Sequence, residues 1–218
     1  MAMGGPIPTR TDPILTLAQW LSPGFPVGAF AYSSGLEQAI VDGLVTPDTL
    51  QDWLADMLRD GTGSVDALLI RAAAETDDVQ DVDAMACAIC PSRERLIEMQ
   101  ALGAAFCDQL RANWGIDAAN LTYPVALGVG VRALGLPVQT AILMYLHAWV
   151  STVATACQRL MALGQTDAQR IIANLASLCA EIADQSRDLT LDDLCSQSFS
   201  ADIATMRHET LSPRIFRT

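Results

Sequence analysis

The chain has 218 residues, 51% apolar and 17% charged, which suffices to bury one sizeable core and is too apolar for a disordered polymer. Its net charge of -12 argues against nucleic acid as a partner, because phosphate binding needs basic surface. All 13 basic residues are arginine, so there is no lysine for a P-loop, a Schiff base or an amine nucleophile, and a nucleotide would have to be held by another chain.

Residues 1–12 read as a flexible N-terminal arm with Gly and Pro but no apolar signal-sequence run, which points to a cytoplasmic protein. A first helix carries Ile14, Leu15, Leu17, Ala18 and Leu21 to a loop, Leu21–Gly35, whose two prolines and repeated glycines forbid a regular helix or central strand. Ser34-Gly35-Leu36-Glu37 has the spacing of a capping box at the start of a short helix that stops near Gly43. The same residues, Ala31-Tyr32-Ser33-Ser34-Gly35, mimic a nucleophile elbow, but no strand precedes them and only His147 and His208 are available as bases.

Thr46 and Pro47 open the next helix as N-cap and first residue, and Leu50, Trp53, Leu54, Met57 and Leu58 give it one apolar face before Gly61. Ser64 is expected to cap a helix to Glu75, another follows Asp77-Asp78 and halts at Pro91, and Ser92 begins one through Leu96, Met99, Gly103, Phe106 and Leu110. Tyr123-Pro124 opens a helix to Gly135, and Pro137 the longest, to Leu163. From Ala133 to Cys157 there is no charge if His147 is neutral, yet Gly135-Leu136-Pro137 breaks the run and its Gln, Ser and Thr residues would need partners in lipid, so a buried core helix is expected, with no membrane span. Thr166-Asp167-Ala168-Gln169 reads as a second capping box, starting a helix to about Asp188, and short pieces near Leu191 and Ala201 lead to the tail. The expectation is an all-α fold: a single helical bundle of about nine or ten helices over residues 13–210, followed by a tail, 211–218, that binds a partner.

Cys87-Ala88-Ile89-Cys90 lacks both the βαβ setting of a redox motif and a second ligand pair for zinc, so the six cysteines read as reduced core thiols and no metal or cofactor is expected. His208-Glu209 would be half of a zincin motif, but the second histidine is replaced by Ser212. His147 reads as a hydrogen-bonded structural histidine. Arg159, near a helix end, either complements the helix dipole or pairs with a partner's carboxylate or phosphate.

The phrase from Ser22-Pro23 through Pro26-Val27-Gly28-Ala29-Phe30, Tyr32-Ser33 and Gly35-Leu36-Glu37 resembles the N-terminal signature of the urease accessory protein UreF family. Later segments extend the likeness: Ser92-Arg93-Glu94 with Gly103, Tyr123-Pro124 with Gly128, Gln158–Gln169, and His208-Glu209 with Arg214-Ile215-Phe216-Arg217-Thr218, where Ser212-Pro213 and Ile215 depart from the family pattern. The resemblance implies an all-helical, dimeric, non-enzymatic protein that docks on the accessory protein UreD (UreH), recruits the nickel-carrying GTPase UreG and helps deliver nickel to apo-urease. On that reading the partner-binding candidates are Pro26, Gly28, Tyr32 and Glu37 in the loop, and Arg159, Gln165 and Gln169 at the corner. The tail adds His208, Glu209, Arg214, Ile215, Phe216 and Arg217; Ile215 and Phe216 are expected in a partner's groove, the alternative being that the tail folds back onto its own domain. The alternatives are a generic helical adaptor or a thiol redox protein using Cys87 and Cys90.

Overall fold

A computed structural model describes residues 12–118 and 120–218; the expected N-terminal arm lies outside them except for Asp12. That residue caps the first helix, its carboxylate accepting the Ile14 N–H at 2.8 Å. Ten α-helices follow among the described residues: α1 Pro13–Trp20, α2 Leu36–Val41, α3 Leu50–Asp60, α4 Thr62–Glu75 and α5 Val79–Ala88, then α6 Arg93–Gln109, α7 Tyr123–Ala133, α8 Val138–Leu160, α9 Gln165–Gln185 and α10 Phe199–His208. No strand occurs among them, as the 3.6-residue periodicity predicts.

The core is built from two close helix pairs, α4 with α7 and α8 with α9. The first pair depends on Gly128, where an added Cβ would lie 2.5 Å from the Ile70 carbonyl, so only glycine permits this approach. Gly103 is tighter still: a Cβ there would meet the Leu121 carbonyl at 1.9 Å, which seats the chain entering α7 directly on α6. Trp20, fully buried, packs edge-on against Phe106 and Trp114 with ring centroids 5.3 and 5.4 Å away, joining α1 to the end of α6. Each fully buried Leu, Ile or Phe contributes about 1.5–3 kcal/mol to this core. One face of α8 is buried in it and the other lines a cavity, which explains how so apolar a helix belongs to a packed domain.

Several helix starts differ from the sequence expectation. The residues Pro47–Thr49 form a turn and α3 begins at Leu50, although the Leu50 N–H still reaches the Thr46 carbonyl at 3.0 Å. At α4 the chain is already helical at Thr62, and Ser64 donates to the Gly61 carbonyl instead of capping. Thr166 lies inside α9, which follows Gly164 without a side-chain cap. Ser92 caps α6 as expected, accepting the Arg95 N–H at 3.1 Å. The reciprocal capping box lies at Thr190 and Asp193, opening a short 3-10 turn.

Candidate functional site

Gly28 and Gly35 shape the loop before α2, with φ of +85° and +77° that a side chain would strain. At Gly35 a Cβ would also sit 2.9 Å from the Thr205 backbone nitrogen, so this glycine lets α10 press onto the loop. Phe25 and Tyr32 turn inward and are buried, leaving Pro26, Gly28 and Phe30 exposed. Ser34 adopts φ +55° and does not cap α2. Ser33 takes part instead: its Oγ accepts the Glu37 N–H at 3.3 Å and donates to the Thr218 carbonyl. With that hydroxyl committed to backbone and no histidine bonded to it, the nucleophile-elbow reading fails.

Glu37 is the centre of the arrangement. Its carboxylate is buried and accepts two backbone N–H groups from the tail, Ile215 at 2.6 Å and Phe216 at 2.8 Å. The capping role predicted for this acid is therefore replaced by a contact 178 residues away along the chain. The imidazole of His208, fully buried, lies between two acids, with Nε2 3.3 Å from Glu37 and Nδ1 2.7 Å from Glu94. Glu94 also binds Arg214, and Glu209 accepts the Arg93 N–H at 2.9 Å, so the tail is tied to the first turn of α6. Alongside, the Arg217 N–H donates to the Ala31 carbonyl and the Ser33 N–H to the Thr218 carbonyl, both at 2.8 Å.

The tail is thus part of the domain, which corrects the expectation that both apolar residues of 211–218 enter a partner's groove. Phe216 is 3% exposed within its own chain, with the Arg159 guanidinium 4.7 Å above its ring, while Ile215 is 56% exposed and available. Long-range backbone bonds to Glu37 and a buried aromatic outweigh the entropy of a free terminus here. Arg217 projects outward, and neither it nor Arg159 makes an ion pair among the described residues. Gln165 and Gln169 are exposed on the first turns of α9 and make no hydrogen bond to this cluster among the described residues. The structure therefore brings together Tyr32, Glu37, Arg159, His208, Glu209 and residues 214–217, and leaves the two glutamines apart. His147 is also corrected: it is exposed on α8 beside a cavity, not a hydrogen-bonded core histidine.

Below the clamp lies a second ionic group that sequence reasoning missed. Arg95 bonds Asp66 at 2.9 Å and Glu98 at 3.0 Å; Tyr145 donates to Asp66 at 2.6 Å and Thr218 Oγ1 to Glu98 at 3.1 Å. Burial raises the pKa of Asp66 and of Glu98, outweighing the opposing pull of Arg95 on each. Burial would lower Arg95, but Glu98 and Asp66 together raise it. The available signal was two charges three residues apart on α6, Arg95 and Glu98, and a lone acid, Asp66, inside the apolar run of α4.

A cavity of about 730 Å³ opens next to this group, walled by the loop residues Phe25, Val27 and Tyr32 and by the small residues Ala148, Ser151 and Thr152 of α8. Arg95 and Glu98 reach its wall, so an apolar chamber ends on charge. No group of three or more potential metal-ligating side chains occurs among the described residues. Cys87 and Cys90 carry no redox signature either: burial pushes the Cys90 thiol up to about 11, and its S–H donates to the Ala86 carbonyl. The geometry suits binding, with a backbone-shaped loop and an internal tail presenting Phe30, Ile215, Arg159 and Arg217.

The sequence pattern of the UreF family matches residues 44–176. The chain is similar to the urease accessory protein UreF of Roseobacter denitrificans, 44% identical over 211 residues covering 95% of both chains. It is similar to the UreF protein of Bradyrhizobium diazoefficiens, 44% identical over 218 residues covering 93% of this chain and 90% of the relative. The UreF protein of a Ruegeria species is 46% identical over 212 residues covering 95% and 99%.

Proposed function

Because the chain belongs to the UreF family of urease accessory proteins, we propose that it acts without catalysis of its own, docking on UreD (UreH) and recruiting the GTPase UreG for delivery of nickel to apo-urease. It does so in the cytoplasm and as a homodimer. The observation that carries this reading is the Glu37 clamp, which folds two segments that resemble the family's terminal patterns, residues 22–37 and 208–218, into one surface. That surface combines an exposed aromatic, Phe30, with the guanidinium groups of Arg159 and Arg217, which make no ion pair among the described residues, a mixture suited to a partner that offers carboxylates around an apolar centre.

Arg159 and Arg217 are exposed, so replacing them tests docking without emptying the core. The double variant Arg159→Ala, Arg217→Ala should keep the wild-type helical spectrum, with a melting temperature lowered only by the lost contact of Arg159 with the Phe216 ring, yet lose capture of UreG and urease activation when co-expressed with the other accessory proteins. Unchanged capture and activation would reject the assignment.

A further inference from the structure

A second cavity, of about 320 Å³, lies on another part of the surface, between the end of α3 and the start of α10. Trp53, Asp56 and Asp60 line it from α3 and Phe199 from α10. The spacing i, i+3, i+7 places the three α3 side chains on one face, so the two carboxylates and the indole share one opening. Its floor is the segment 197–198, held by the Gln197 N–H on the Asp60 carbonyl at 2.7 Å and admitted by Gly61, where a Cβ would crowd Ser198 at 2.8 Å. Neither Asp56 nor Asp60 has an ion-pair partner among the described residues, not even the adjacent Arg59. They also lie where the negative end of the α3 dipole adds to their field.

Two carboxylates, unpaired among the described residues, that line one cavity with two aromatic side chains make a receptor for a planar cation. A guanidinium satisfies both kinds of wall, bonding carboxylates through its fork and stacking on an aromatic face, which a compact ammonium does less well. From the rim an apolar stripe runs along α10, Phe199, Ile203 and Met206 at i, i+4, i+7, all exposed, and a lone cationic metabolite would leave it uncovered. We propose that this cavity and stripe are a second docking surface, which takes an arginine side chain from an amphipathic segment of a partner protein. The proposal does not depend on the surface around Glu37.

The indole N–H signals of the full chain, labelled with ¹⁵N, give the test, with the Trp53 signal assigned by Trp53→Phe. N-acetyl-arginine-amide should shift that signal saturably with half-saturation in the millimolar range, and the neutral isostere N-acetyl-citrulline-amide should not. Asp56→Asn or Asp60→Asn should weaken arginine binding about tenfold, the loss expected for one hydrogen bond to a charged group. Equal shifts with the citrulline probe, or unchanged binding in both variants, would overturn the proposal. Tighter binding of spermidine than of the arginine probe would also overturn it, assigning the cavity to free polyamines.

Discussion

Adjacent residues of α6, Glu94 and Arg95, enter two ionic groups of different character. Glu94 joins Glu37, His208 and Arg214 in a clamp whose outer member is 43% exposed and in which Glu37 also takes two backbone N–H groups. Arg95 joins Asp66 and Glu98 in a group that is almost wholly buried and holds two carboxylates for one guanidinium. Both reach the same tail, the clamp through the Phe216 N–H and the buried group through Thr218 Oγ1. The difference teaches a division of labour: the buried group fixes where α4, α6 and the chain end meet, and the clamp holds the tail against the opening loop. A buried ion group is costly to assemble and far costlier to break in half, whereas a clamp that uses backbone bonds and a partly wet arginine can be weakened by degrees.

The largest effect should come from breaking the buried group. Arg95→Ala strands Asp66 and Glu98 in the core, and the loss of one partner from a buried ion group costs about 3–5 kcal/mol. For a chain of this size that is roughly a 10 °C drop in Tm. Thermal unfolding by circular dichroism measures it, and a drop like that of Arg214→Ala, in the partly exposed clamp, would erase the distinction between the two groups.

A smaller effect separates the groups by pH. The folded pKa of Glu98 lies above its unfolded value, so the stability linked to its protonation is complete below about pH 4 and is lost as pH rises through the folded value. Wild type should therefore lose stability relative to Glu98→Gln as pH rises through that window. Urea unfolding at a series of pH values reads the difference; a gap that stays constant or widens in favour of wild type with rising pH would contradict burial as the cause.

How much of this was legible in the sequence follows from the reach of each interaction. The helices were, because capping and 3.6-residue spacing act within a turn: Ser92, the proline of Tyr123-Pro124 and the apolar face of α3 stand as read. The false capping box at Ser34 shows the limit, since the spacing is present but Thr205 crowds Gly35 and the carboxylate of Glu37 is taken by residues 178 positions away. Asp66, Arg95 and Glu98 were invisible as a unit because Asp66 pairs across 29 residues and nothing local marks the partner. The tail was misread for a related reason. Its Ile-Phe pair looks like a sticky terminus, and only the fold reveals that Arg159 covers Phe216 while Ile215 stays outside.

The clamp itself is most directly tested by hydrogen exchange at the Ile215 and Phe216 amides, which in wild type donate to Glu37 and should be protected. In Glu37→Gln, with the charge gone and the shape kept, protection of these two amides should fall about tenfold or more, while α8 and α9 exchange as before. Equal protection in the two proteins would contradict the claim that Glu37 holds the tail against the opening loop.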